Sequence, residues 1–359
     1  MRATIRQVAA RAQVSRMTVS RVLQGRRHQV NDKTYERVLA VIQEMNYVPV
    51  RPVMQNRHHQ TNAIGMVPYH RNPSRNLIDS LTFEGLCDGA SQNGHDLFIM
   101  LRAEAEWMAN REELRFLDRR CDGFIFISPG AHEWQTALET LVQHKIPAVV
   151  CYRRDVPEGV AWVDPDNERI VDLAVDCLIE HGHREIAYLS GPKTMSTPNS
   201  GLLANLSGPR VNSDDESRIA HFRARLQSAG LPTPRIAHVC NPEWELDTTE
   251  VQALLDSGAT AVLCVNDHIA LQLWDHLAAM QIRVPDALSI IGVDNQASAA
   301  LRGLTSIGFG YDEVGRHSVQ AWLELSAGAP ADTCNKIVPV HLTQRDSVAA
   351  PPRGAPLSR

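Results

Sequence analysis

The chain has 359 residues, 43% of them hydrophobic, and 36 Lys and Arg against 41 Asp and Glu give a formal net charge of −5. That is the composition of an ordinary soluble globular protein with room for a small head and a large body, and no run of about 18 apolar residues occurs, which excludes a transmembrane helix. The charge is uneven: residues 1–60 hold eleven Lys and Arg against three Asp and Glu, net +8, and the rest holds 25 against 38, net −13, as suits a basic head meeting a polyanion.

In chain order, the first predicted element is a helix from Ile5. Thr4 is placed to cap it and Gln7, three residues on, to close a capping box. Val8, Ala9 and Ala12 share one face of that helix and are small enough for a second helix to cross closely. Ser15 caps the second helix, on which Val19, Val22 and Leu23 point inward. Arg16, Met17, Ser20 and Arg21 are left on the opposite face. This is a helix-turn-helix pattern, and it predicts DNA recognition. Arg21 and Arg16 have the planar fork that matches a guanine edge, a pairing worth roughly 1–3 kcal/mol of discrimination. Met17 offers an apolar contact, and Thr18 and Ser20 suit phosphates, which set register without reading sequence.

A third helix is expected from Asn31 through Met45, closing the head near Tyr47 before Pro49 and Pro52. The polar, basic stretch that follows reads as a linker. Beyond it, strand-like apolar runs recur at residues 63–67, 97–101, 123–127, 147–152, 186–190, 236–240, 261–265 and 288–293, with helical stretches between them. Such alternation predicts parallel sheets covered on both faces, and this many strands predicts two sheets. Ligands gather at the carboxyl ends of strands in such folds. Here those ends read Tyr152-Arg153-Arg154, Asn266-Asp267 and Asp294-Asn295.

The seven cysteines, at 87, 121, 151, 177, 240, 264 and 334, are scattered and form no CxxC pair, so they read as reduced thiols with no zinc site. His58-His59 has no further ligands at useful spacing. The start, MRATIRQ, lacks the apolar stretch of a signal peptide, so a cytoplasmic location is expected. There is no GxSxG, GxxxxGK[ST] or HExxH, and neither a catalytic residue nor a metal or cofactor is expected.

Taken in order, VAARAQVSRMTVSRVL, NDKTYERVLAVIQEMNYVP, AIGMV, IEHGHREIAYLSGP, CVNDHIALQLWDHL, VPDALSIIGVDN and LTSIGF closely resemble the lactose/galactose repressor (LacI/GalR) family from Thr4 to about Ser347. The resemblance implies an all-α helix-turn-helix head (1–48), a hinge or linker (49–62) and a two-lobed body of two doubly wound parallel sheets (63–347). That body is like a type I periplasmic binding protein, and residues 348–359 are expected to be a disordered tail. It implies a homodimeric regulator, usually a repressor, that binds a pseudo-palindromic operator in double-stranded DNA under allosteric control by a small sugar-like effector. The recognition positions fall on Arg16, Met17 and Arg21. The effector positions fall on Arg218, Asn266 and Asp294, with Trp244, Phe309 and Tyr311 supplying aromatic contacts and Arg153 at a strand end. Each also has a purely structural role available: Asn266 as a helix cap, Asp294 in a turn, Arg218 paired with Asp214 or Glu216, and Trp244 as a loop anchor.

Three features depart from the family pattern. Gln13 stands in the turn where glycine is common. In the hinge, which in the family wedges a leucine into the minor groove, Asn56 holds the leucine's position, leaving Val53 or Met54 for the wedge, with Arg57 beside them. LSGP occurs twice, at 189–192 and 206–209, and only the second copy has the usual distance to Arg218. An insertion near 193–209 is therefore expected, as a surface loop rather than a lid. The competing functional reading is a constitutive or architectural DNA-binding protein with a degenerate effector pocket.

Overall fold

The computed structural model describes residues 4–23, 27–45, 47, 61–68, 77–100, 116–117, 120–127, 134–192, 213–239 and 244–352. The chain divides into two units, Met1–His59 and Gln60–Arg359. In the first, α1 (Ile5–Arg11) opens with the predicted capping box: the Thr4 amide donates to Gln7 Oε1 at 2.8 Å, and the Gln7 amide donates to Thr4 Oγ1 at 3.4 Å. Gln13 turns the chain with φ 53°, and Ser15 Oγ accepts the Thr18 amide at 3.1 Å at the head of α2 (Arg16–Leu23). Asn31 caps α3 (Asp32–Glu44) by accepting the Lys33 amide at 3.0 Å. The helices close on Val8, Ala9, Ala12, Val19, Val22, Val38 and Val41. Each fully buried valine contributes roughly 1.5–3 kcal/mol. The left-handed Gln13 costs about 1–2 kcal/mol, so the core outweighs the departure from glycine.

In the second unit the predicted strand runs form β1 (Ala63–Val67), β2 (Asp96–Ile99), β3 (Gly123–Ile127), β4 (Ala148–Cys151), β6 (Ile186–Ser190), β7 (Ile236–His238), β8 (Ala261–Cys264) and β9 (Ser289–Val293). Four strands join them without having been predicted: β5 (Ala161–Pro165), β10 (Thr305–Gly308), β11 (Lys336–Val338) and β12 (His341–Thr343). Their polar or very short sequences lack the apolar run that marks a buried strand. The described strands make two sheets, ordered β11-β5-β4-β3-β1-β2 and β12-β10-β9-β8-β6-β7, all parallel except the pairing of β12 with β10.

Helices α4 (Leu77–Gln92) and α5 (Gln135–Gln143) belong to the first sheet, and α6 (Asn167–Glu180), α7 (Ser213–Ser228), α8 (Thr248–Asp256), α9 (Asp267–Ala279) and α10 (Ala297–Arg302) to the second. Then α11 (Tyr311–Ser326) returns to pack on α4, followed by α12 (Ala331–Cys334). Gly85 and Gly315 make that close helix crossing: a Cβ on Gly85 would overlap the Asp312 carbonyl, and one on Gly315 the Thr82 carbonyl. The chain thus passes between lobes three times, from β5 to α6, from β10 to α11 and from β11 to β12. These crossings set which residues meet at the seam.

The C-terminal segment differs from expectation. A disordered tail was expected from 348, yet the Ala349 amide donates to Ser289 Oγ at 3.1 Å and its carbonyl lies 2.8 Å from His183 Nε2. Backbone groups held in this way form an ordered strap over the second lobe at least to Pro352. The second LSGP copy, the insertion near 193–209, His58-His59, Cys240 and most of the 49–62 linker lie outside the described residues.

Candidate functional site

The head presents one face of α2. Met17 is 65% exposed beside exposed Arg16, with half-buried Ser20 and Arg21 on the same helix. Thr18 is half-buried and its hydroxyl lies 2.9 Å from Ser15 Oγ, so it is already engaged at the cap. Buried Val19 and Val22 fix the helix against the core, which holds Arg16 and Met17 outward. Met54, Asn56 and Arg57, read from the sequence as hinge contacts to DNA, lie outside the described residues.

In the body, charged groups collect where the crossings leave the sheets. Arg218, on α7 and buried, donates Nε to Asn167 Oδ1 at 2.7 Å and Nη1 to the Val265 carbonyl at 3.2 Å. Asn167, first residue of α6, donates Nδ2 to Asp164 Oδ2 at 3.0 Å. The same Asp164 oxygen accepts Arg154 Nε at 2.6 Å. A continuous chain of bonds, Arg154 to Asp164 to Asn167 to Arg218, therefore runs from the first sheet into the second lobe.

Asp294 lies at the end of β9 with φ 110°. Its Oδ1 accepts the Tyr311 hydroxyl at 2.5 Å and its Oδ2 accepts Gln296 Nε2 at 3.3 Å. Burial pushes its carboxyl up to about 7, although the Tyr311 bond opposes the shift. Phe309 and Tyr311, on the second crossing, have ring centroids 4.5 Å apart, and Tyr152 faces Tyr311 at 6.3 Å. The Tyr152 hydroxyl lies 2.5 Å from Thr82 Oγ1 on α4. Both lobes thus contribute rings to one seam.

The remaining sequence candidates divide. Asn266 caps α9, its Oδ1 accepting the Ile269 amide at 2.9 Å, and among the described residues its amide nitrogen has no partner. Trp244 takes a left-handed φ of 65° and lays its indole against Gly191 at the end of β6, while its carbonyl accepts Gln272 Nε2 at 2.8 Å. It is a fixed loop anchor with one ring edge beside the strand end. Arg153 is only 3% exposed, with Nη2 3.3 Å from Asp155 Oδ2, and it is Arg154 that joins the charged chain.

Sequence reasoning missed Asp164 and Asn167 as members of the seam, while Tyr152 was named only at a strand end and Asp214 only as a pairing partner for Arg218. The signal present was DPDN at 164–167, acidic and amide residues closing a short strand, but β5 itself was not recognised. Asp214 lies near Asp164 and Arg218, and burial first and Asp164 second push its carboxyl well above the usual range. Asp267, by contrast, accepts Ser306 Oγ at 2.6 Å and the Gln296 amide at 2.7 Å, and so ties α9 to β10 and to the loop before α10.

Residues 4–50 match the family model described as bacterial regulatory proteins of the lacI family, and residues 175–348 match that of a periplasmic binding protein-like domain. The HTH-type transcriptional repressor PurR of Vibrio parahaemolyticus is 30% identical over 345 residues, covering 90% of this chain and 91% of that protein. The maltose regulon regulatory protein MalI of Escherichia coli is 30% identical over 283 residues, covering 76% and 74%. Among solved structures, the lac repressor dimer bound to operator and the anti-inducer ONPF aligns with a TM-score of 0.75 at 25% identity, over 98% of this chain and 100% of that one. The CelR-cellobiose complex shares the fold at a TM-score of 0.65 and 24% identity, over 97% and 100%.

Proposed function

The chain belongs to the LacI family of bacterial regulatory proteins, and from that premise we propose that it is a transcriptional repressor whose paired heads bind a pseudo-palindromic operator under control of a small sugar-like effector. It is a DNA-binding allosteric regulator with a helix-turn-helix head and a two-lobed α/β body. Its relatives are transcriptional regulators, and we assign it no catalytic role. It acts as a homodimer in the cytoplasm, where operator DNA is found.

In this reading Arg16, Met17 and Arg21 read base edges, and Ser20 and Thr18 set the register on phosphates. The head (1–48), hinge (49–62) and effector body (63–347) are the functional divisions. Arg218, Asn266 and Asp294 together offer guanidinium, amide and carboxyl groups, which suit vicinal hydroxyls, and Phe309, Tyr311 and Trp244 offer rings to an apolar sugar face. The observation that carries the reading is the bond chain from Arg154 through Asp164 and Asn167 to Arg218. A ligand that engages Arg218 bears on the first crossing directly, and so has differential contact with different lobe arrangements. Linkage then makes the effect reciprocal: an effector that changes operator affinity has its own affinity changed by operator to the same factor.

The test is to select bound duplexes from a random pool, then to titrate the selected operator with and without a panel of sugars and nucleosides. A recurring two-fold site whose affinity changes with one metabolite is expected. A selected site that no metabolite affects supports the constitutive reading, and a pool that yields no preferred sequence rejects both.

A further inference from the structure

Helix α9 carries His268, Gln272 and His276 at helical spacing, so the three side chains share one face. Two of them grip the segment that carries Trp244. Gln272 Oε1 accepts the Leu246 amide at 2.8 Å, its Nε2 donates to the Trp244 carbonyl at 2.8 Å, and His276 Nε2 donates to the Leu246 carbonyl at 2.8 Å. These partners dictate how the Gln272 amide is turned, since a backbone N–H must face its oxygen and a carbonyl its nitrogen. His268 Nε2, 2.8 Å from Gln272 Nε2, accepts the second amide hydrogen. Both N–H groups and the oxygen of Gln272 are thus engaged.

What this grip holds is a ring. Trp244 takes a left-handed φ of 65°, which residues other than glycine rarely adopt. Its indole lies so close to the end of β6 that a Cβ on Gly191 would fall 2.5 Å from it. Leu246 is buried, and Asp247 forms the capping box of α8 with Glu250, so the segment is fixed on its C-terminal side as well. A rarely populated backbone conformation persists only where its surroundings over-determine it. Among the described residues, the side chain that bonds the Trp244 backbone itself is Gln272.

From this geometry we propose that Gln272 is a positioning residue for effector binding: it fixes the Trp244 indole at the end of β6 before the effector arrives, without touching the effector itself. This rests on the reading of Trp244 as a ring offered to an apolar sugar face. A ring held in advance spares the effector the cost of ordering it, so affinity falls with the fraction of molecules that hold it in place. Asn266 caps the same helix, so amide and ring are carried by one rigid element.

The test uses the full-length protein and acrylamide quenching of its tryptophan fluorescence. The difference between each protein and its Trp244→Phe counterpart isolates Trp244 from the other tryptophans. The wild-type Trp244 component is expected to resist quenching, and in Gln272→Leu its quenching constant is expected to rise about twofold or more as the segment opens locally. Gln272→Glu keeps an acceptor for the Leu246 amide but sets a carboxylate against the Trp244 carbonyl. It is expected to raise the constant too, and it carries the comparison if Gln272→Leu does not fold. Unchanged Trp244 quenching in both variants, with only the unfolding midpoint lowered, makes Gln272 a stability contact and overturns the proposal. Glucose, galactose, maltose, ribose and adenosine are then titrated against the thermal midpoint. A compound that shifts the wild type but not Arg218→Ala is expected to need about tenfold more with Gln272→Leu, as for a ring in place about a tenth of the time. An equal requirement overturns the proposal. A shift that survives in both Arg218→Ala and Trp244→Phe removes the effector-site reading instead, and the quenching comparison still decides whether Gln272 holds the ring.

Discussion

Asn167 stands between Asp164 and Arg218 and bonds to both: it receives Arg218 Nε on Oδ1 at 2.7 Å and gives Nδ2 to Asp164 at 3.0 Å. An amide is the side chain suited to this place, because it can accept from a guanidinium and donate to a carboxylate at once. Since Asn167 opens α6 immediately after the first crossing, the bond pair spans the point where the chain leaves one sheet for the other lobe.

Replacing Asn167 with Ala leaves a buried guanidinium N–H and weakens the hold on Asp164, a loss of about 1–3 kcal/mol. Urea unfolding of the body is expected to show that loss. Operator affinity without effector should stay within about twofold, while the effector's influence on it falls, since the coupled element is cut. Retention of full coupling in Asn167→Ala would place the communication elsewhere.

The pH dependence follows from carboxyls that burial pushes upward, Asp294 to about 7 and Asp267 to about 6. Folding raises both above the unfolded value, so the folded state holds more protons between about pH 4 and 7. Stability from these groups is greatest below the unfolded value and falls as pH rises through the folded ones. Each unit is worth about 1.4 kcal/mol. Denaturant midpoints measured from pH 5 to 8 should decline for the wild type, and the decline should be shallower in Asp294→Asn.

Asn266 separates a cap from a ligand contact. Asn266→Asp keeps the oxygen that accepts the Ile269 amide, so α9 should be no less stable, whereas Asn266→Ala should lose about 1 kcal/mol. If the amide nitrogen binds effector, Asn266→Asp loses effector affinity with stability intact. Unchanged affinity would leave Asn266 a cap alone.

On the head, Arg16→Ala and Arg21→Ala are expected to weaken the selected operator by about 1–3 kcal/mol each and to relax preference at one base position. Ser20→Ala should weaken all sequences alike, as a phosphate contact does. Fluorescence anisotropy at one fixed salt concentration distinguishes these patterns, because non-specific affinity shifts with salt for every variant.

Much of this protein was legible locally. The capping box of Thr4 and Gln7, the caps at Ser15 and Asn31, the inward valines and the eight apolar strand runs are encoded within a few residues of where they act, because capping and periodicity depend only on near neighbours. Arg218, Asp294 and Tyr311 were read by resemblance, and the structure places all three at the seam. What tertiary structure alone decided is who meets them. Asn167 bonds Arg218 across 51 residues of sequence and passes the contact on to Asp164, and Asp294 meets Tyr311 because β10, which leads into α11, pairs with β9. No local pattern carries such pairings. They follow from three chain crossings whose strands, β5, β10, β11 and β12, are too polar or too short to announce themselves, and whose positions are set by packing between distant segments.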